Sequence, residues 1–196
     1  MASLSTISIN QTLKEKNIPL FDTTSFQRLF GISNDNTAHK TLQRLTQQKI
    51  LTRISPGKYL VTGLQPDKFA IANFIYSPSY ISLESALSHY GILSQFPYTV
   101  TSITTLKRKT VHSHTTYEYS HLSPQLYWGF ETQGSFIIAN KEKALIDLIY
   151  LCSKGLNNIS LEELDLSLIN PKKFKAYTQK IQAPQFQNYL QKANLC

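Results

Sequence analysis

Apolar residues recur at three- and four-residue spacing three times in residues 1–48. In ISINQTLKEKN, Ile9 and Leu13 form a stripe that Lys16 extends, with Pro19 beyond its end. In TTSFQRLFG, Phe26, Leu29 and Phe30 share a face, Thr23 or Thr24 is placed to cap it, and Gly31 stops it. After the turn Gly31-Ile32-Ser33 a third segment starts near Asn34 and repeats Ala38, Leu42 and Leu45. This spacing puts apolar side chains on one face and predicts three amphipathic helices. ILTRI and KYLVT then follow, β-rich runs split by Ser55-Pro56-Gly57, which predicts a hairpin.

From residue 64 the pattern changes. DKFAIANFIY predicts a helix, and YISLESALSHYG a strand entry and then a helix, with Ser82 as its cap and Gly91 past its end. Between 97 and 139 the runs YTVTSITT, TTYEYSHL, LYWGFE and GSFIIA are rich in β-branched and aromatic residues and predict strands. NKEKALIDLIYLCSKG returns to helical spacing, with Asn140 as cap, a face of Ala144, Leu145, Leu148, Ile149 and Cys152, and Gly155 as terminator. Ser160-Leu161-Glu162-Glu163 has the form of a capping box, and Asn170-Pro171 and Ala183-Pro184 that of helix starts. The fold class expected is α+β. A winged helix-turn-helix occupies residues 1–63, and a mixed α/β domain with a central β-rich region and C-terminal helices occupies 64–196.

Length and composition agree with a chain that folds: 196 residues, 41% hydrophobic and 11% aromatic. No apolar run reaches the roughly 18 residues of a membrane span, and MASLSTISINQTLKEK lacks a basic end followed by an apolar stretch. The expectation is a cytoplasmic protein without membrane contact. Cys152 and Cys196 lack the spacing of a zinc site or a disulfide framework. The formal charge of +8 is uneven. Residues 1–63 carry eight Lys/Arg against three acids, 171–196 carry five Lys and no acid, and the centre is slightly acidic. Basic ends of this kind favour a polyanionic partner, with a solvated basic surface as the alternative.

Helix, helix, short turn, helix, hairpin is the order of a winged helix-turn-helix, whose third helix enters the major groove. Opposite Ala38, Leu42 and Leu45 lie Asn36, Lys40, Gln43 and Gln47, flanked by Thr37, His39 and Arg44, with Asn34 at the start. Asn and Gln pair with adenine edges, Arg and Lys reach guanine or phosphate, and Thr touches the thymine methyl or a phosphate. Asp35 in the first turn suits the helix N-terminus and is read as a capping residue, with selection of cytosine as the alternative. Arg53 and Lys58 on the hairpin arms suit phosphate contacts, which orient a protein without reading sequence. Double-stranded DNA is the partner these residues predict.

GKYLV, YISLESALSHYGILSQFP, YEYSHLSPQLYWGF and IIANKEKALIDLIYL, in this order, resemble the AbiEi antitoxins of abortive-infection toxin–antitoxin systems over residues 8 to 155. The resemblance implies a winged helix-turn-helix joined to an antitoxin domain, autorepression through operator inverted repeats, and opposition to a nucleotidyltransferase-like toxin without a stable complex. No cofactor and no catalysis are expected, since the chain shows no nucleophile elbow and no Gly-rich phosphate loop. The last forty residues match only loosely.

Other chemistry is weaker. Glu142 is followed directly by Lys143 on a helical segment, which does not supply the strand-borne acid-x-Lys pair of a metal-dependent nuclease; Glu142 reads instead as a first-turn acid. His112 and His114, with His121 nearby, lack a third ligand at clear spacing, so no metal is expected. Lys107-Arg108-Lys109 forms either a solvated turn or a second nucleic-acid contact shared with Lys172, Lys173, Lys175 and Lys180. The aromatic residues between 74 and 136 offer a different function, direct capture of a partner toxin, or else fill a core.

Overall fold

The computed structural model describes residues 5–113, 115–158 and 160–195. His114 and Cys196, weighed above as a metal ligand and an incidental thiol, lie outside the described residues. The chain divides into two compact units, Met1–Asp67 and Lys68–Cys196. Together they are α+β, with eight α-helices among the described residues, a three-stranded sheet and a six-stranded sheet.

The first unit runs α1 (Thr6–Glu15), β1 (Leu20–Asp22), α2 (Thr23–Phe30), α3 (Asp35–Gln47), β2 (Leu51–Ser55) and β3 (Lys58–Val61). Ile9 and Leu13 are buried as the spacing predicts, but Lys16 is exposed and caps α1. The helix ends before Pro19 is reached: Asn17 turns into the left-handed region (φ 47°) and the Ile18 N–H returns to the Leu13 carbonyl. β1 is too short to show in a hydropathy pattern. It pairs antiparallel with β3, Leu20 opposite Leu60 and Asp22 opposite Lys58, and completes a β1-β3-β2 sheet.

Asp22, rather than Thr23 or Thr24, caps α2, its Oδ1 accepting from the Ser25 N–H at 2.7 Å. That backbone hydrogen bond holds its carboxyl below the ordinary range, and Lys58 and Arg28 add to the effect. Phe21, Phe26, Leu42, Leu45, Leu51, Tyr59 and Val61 join Ile9 and Leu13 in one core, with Phe21 stacked on Phe26 at 5.6 Å and on Tyr59 at 5.9 Å.

The second unit runs α4 (Lys68–Ile75), β4 (Ser79–Ile81), α5 (Leu83–His89), β5 (Thr99–Thr104), β6 (Lys109–His112), β7 (Thr116–His121), β8 (Phe130–Gln133), β9 (Phe136–Ala139), α6 (Lys141–Ser153), α7 (Pro171–Thr178) and α8 (Pro184–Lys192). The sheet order is β6-β7-β5-β4-β9-β8, with β5–β7 and β4–β9 parallel and the other pairs antiparallel.

The register places the helices. The Tyr119 hydroxyl donates to the Ala72 carbonyl of α4 at 2.7 Å. Thr101, in register with Glu118 one residue away, accepts the Ser85 N–H of α5. Successive residues of a strand face opposite ways, so α4 covers one face of the sheet and α5 the other. α6 packs against α5, α7 and α8.

Several local expectations change. β6 was missed because KTVH is half polar, and an edge strand with one solvated side does not need an apolar run. Leu126 ends a 3-10 turn, and the strand starts only at Phe130. Ser160 opens a 3-10 turn without a side-chain cap. Ser82 stands at the α5 cap position, yet its hydroxyl donates to Asp147 instead, and the cap comes from Thr101 on β5.

Candidate nucleic-acid interface

Asn34 caps α3, accepting the Thr37 N–H on Oδ1 at 3.1 Å. Its carbonyl oxygen is therefore engaged in holding the helix, which makes Asn34 the α3 cap. Asp35 does not cap: its Oδ1 accepts from Gln27 Nε2 at 2.8 Å and ties α2 to α3 across the turn. That turn is set by Gly31 in the left-handed conformation (φ 64°), with the Ile32 N–H returning to the Gln27 carbonyl. The two helices are thus fixed to one another by a backbone device and a side-chain tie.

Ala38, Leu42 and Leu45 are fully buried, so the phase of α3 is unambiguous. Asn36, Thr37, His39, Lys40, Gln43 and Arg44 are all exposed. Thr37 also leans its hydroxyl on Asn34 at 3.4 Å. His39 and Gln43 line a cleft of about 460 Å³ whose other wall is Arg53, Gly57 and Tyr59 of the hairpin. The structure therefore joins helix and hairpin residues into one concave surface.

β2 carries an irregularity between Arg53 and Ser55: Arg53 pairs with Tyr59, and Ser55 with Lys58. The extra residue lets Ile54 bury while Arg53, on the side of Leu51 and Tyr59, opens into the cleft. Lys58 is placed differently from the expectation of two symmetric arms. It is half-buried and opposite Asp22, whose carboxyl it helps to hold ionised, so its charge belongs to the β1 side of the sheet.

The second basic group does not assemble. Lys109 lies in the edge strand β6 with its Nζ 4.7 Å from the Tyr76 ring centroid, and the Tyr76 hydroxyl donates to the Lys107 carbonyl. Arg108 lines a separate pocket, together with Glu84 and Glu118. Lys172, Lys173 and Lys175 are on α7, which is anchored near the opposite edge: Lys173 pairs with Glu142 at 2.9 Å, and Asn140, just past β9, donates to Tyr177 at 3.2 Å. Five strand spacings, roughly 24 Å, separate those edges. Lys180 stacks on Trp128 and Tyr177, 5.0 and 5.2 Å from their centroids.

Sequence reasoning missed the most deeply placed charges. α6 buries Lys143 and Asp147 as an ion pair, and the Asp147 carboxylate also accepts from the hydroxyls of Tyr80 at 2.9 Å and Ser82 at 2.8 Å. Lys143 runs beneath Trp128, 4.8 Å from its centroid. The available signal was the i, i+4 spacing of Lys143 and Asp147 on a helix whose other positions from Ala144 to Cys152 are apolar apart from Tyr150.

His112 Nδ1 lies 3.3 Å from the Thr116 hydroxyl and His121 Nδ1 2.9 Å from the Leu106 carbonyl. Among the described residues no group of three His, Cys, Asp or Glu side chains is placed to hold a metal ion. No helix among them is long and apolar enough to cross a membrane. No family model matches the chain, and no curated protein is significantly similar to it.

Proposed function

We propose that the first unit is a winged helix-turn-helix that binds double-stranded DNA, with α3 in the major groove and the β2–β3 hairpin as the wing. The observation that carries this reading is the shared cleft, in which His39 and Gln43 of α3 face Arg53 of the hairpin. Asn36 and Lys40 belong to the exposed first turns of α3, the part of a recognition helix that meets base edges. The net charge of the unit supplies the phosphate attraction.

The resemblance to AbiEi antitoxins extends the proposal. The protein is an autorepressor that binds inverted repeats in its own operator, and an antitoxin that opposes a nucleotidyltransferase-like toxin without a lasting complex. The direct test is binding to the DNA upstream of its own gene, compared with random DNA at two salt concentrations. A preference for the upstream sequence that persists as salt rises is the expected result, and equal affinity for both at every salt would refute it.

Direct capture of a partner protein is favoured by a narrower observation than aromatic abundance. Tyr80, Tyr117 and Tyr119 are core residues, while Phe96 and Tyr98 are 82% and 99% exposed. Co-elution of protein and toxin on a sizing column would support capture, and separate elution supports independent action.

A further inference from the structure

Beside the start of α5 lies a pocket of about 430 Å³ bounded by Glu84, Tyr98, Arg108, Glu118, Ser120 and Asn157. Its lining comes wholly from the second unit, so it is independent of the DNA reading. Glu84 reaches it from the first turn of α5, held by Asn157, whose Nδ2 donates to Oε1 at 2.8 Å. The other oxygen, Oε2, is buried without a hydrogen-bond partner among the described residues. Such an oxygen has lost water and gained nothing, and a donor supplied from outside the chain would recover the loss.

Glu118 and Arg108 are exposed, and neither side chain makes an ion pair or hydrogen bond among the described residues. Three charged groups therefore line one concavity without neutralising one another. Two are carboxylates and one is a guanidinium, and Pro97 and Leu156 add apolar wall.

We propose that this pocket binds a free basic α-amino acid of the arginine or lysine type. Its carboxylate matches the fork of Arg108, which accepts a carboxylate through two parallel hydrogen bonds. Its two cationic groups match the carboxylates of Glu84 and Glu118, and its aliphatic stem matches Leu156 and Pro97. A neutral amino acid leaves one carboxylate unanswered, and an amine without a carboxylate leaves Arg108 unanswered.

Calorimetric titration of the full-length protein with L-arginine and L-lysine tests the proposal, with citrulline and agmatine as probes lacking the side-chain cation and the carboxylate. Saturable binding of at least one basic amino acid is expected, weakened at least tenfold in citrulline and in agmatine. Arg108→Ala and Glu118→Gln, both at exposed positions, are each expected to weaken it at least tenfold without altering the melting temperature. Glu84→Gln, which removes the carboxylate on the α5 side, is expected to weaken binding at least tenfold as well. Absence of heat for arginine and lysine at millimolar concentration overturns the proposal. So does binding unchanged by Arg108→Ala and Glu118→Gln, or equal affinity for citrulline and arginine.

Discussion

Asp147 sits where a carboxylate is costly. Burial raises its pKa, and Lys143, Ser82 and Tyr80 work against that rise. Removing Lys143 alone strands the carboxylate, so Lys143→Ala is expected to cost about 3–5 kcal/mol by urea unfolding. Replacing both partners, Lys143→Met with Asp147→Leu, is expected to cost clearly less than the sum of the single changes; additive costs would show that the pair is not coupled.

Glu142 behaves in the opposite way. Burial works to raise its pKa, but hydrogen bonds from Lys173 and the Asn170 N–H outweigh burial and leave it lowered. A folded-state pKa below the unfolded one adds stability that is fully present above the unfolded value, near 4.5, and is lost as pH falls through the folded value. Lys173, raised by the same partner against its own desolvation, contributes below about its usual 10.5 and loses that contribution as pH rises through the raised value. Glu142→Gln is therefore expected to cost about 1 kcal/mol at pH 7, an estimate kept low by the exposure of Lys173, and the deficit closes in acid. A deficit of constant size from pH 7 to pH 3 would remove the ion pair from the account.

Helix ends carry the predictions at the next scale. Asn34→Ala removes the α3 cap and is expected to cost about 1 kcal/mol. Gly31→Ala places a side chain at a left-handed φ of 64° and is expected to cost a similar amount. Neither residue needs to touch a base for DNA affinity to fall, since both set the position of α3, so melting temperature and binding should be measured on the same samples. Gly129→Ala is more severe, because its Cβ would lie 3.0 Å from Lys143 Cγ at a φ of 78°, directly over the buried pair.

These ends also mark where sequence was readable. Ala38, Leu42 and Leu45 announced α3, Asn140 announced α6, and Asn170-Pro171 announced α7, because each signal is local to its own element. β1 was hidden because its existence depends on pairing with distant chain, Leu20 with Leu60, and β6 because an edge strand paired only with β7, Thr110 with Glu118, can be half polar. Ser82, Thr23 and Thr24 misled because a cap is set by its surroundings: the residue that caps α5 comes from β5, and Asp22, which caps α2, is the last residue of β1. The exposed face of α3 was legible residue by residue, but the inward turn of Arg53 and the tethering of Lys58 near Asp22 follow from a bulge and a third strand that no periodicity reveals.

For the molecule as a whole, the two units divide the proposed work. Under the proposed reading, Lys40→Ala and Gln43→Ala are expected to weaken operator binding by about 1–3 kcal/mol and random DNA by less. Arg53→Ala is expected to weaken both alike and to lower the salt dependence by about one unit of slope. Equal losses on both DNAs for all three variants would assign α3 to phosphate contact alone. Trp128 makes the division measurable. It is the single tryptophan of the chain and lies in the second unit, crossed edge-on by Tyr177 at 4.8 Å and approached by Lys143 and Lys180. Emission excited selectively at that indole therefore reports the second unit alone, while circular dichroism sums over both. Melting curves that separate by the two probes would show the units unfolding independently. A change in that emission when DNA is added would mean that the event at α3 is felt in the unit that contains no part of the proposed groove reader.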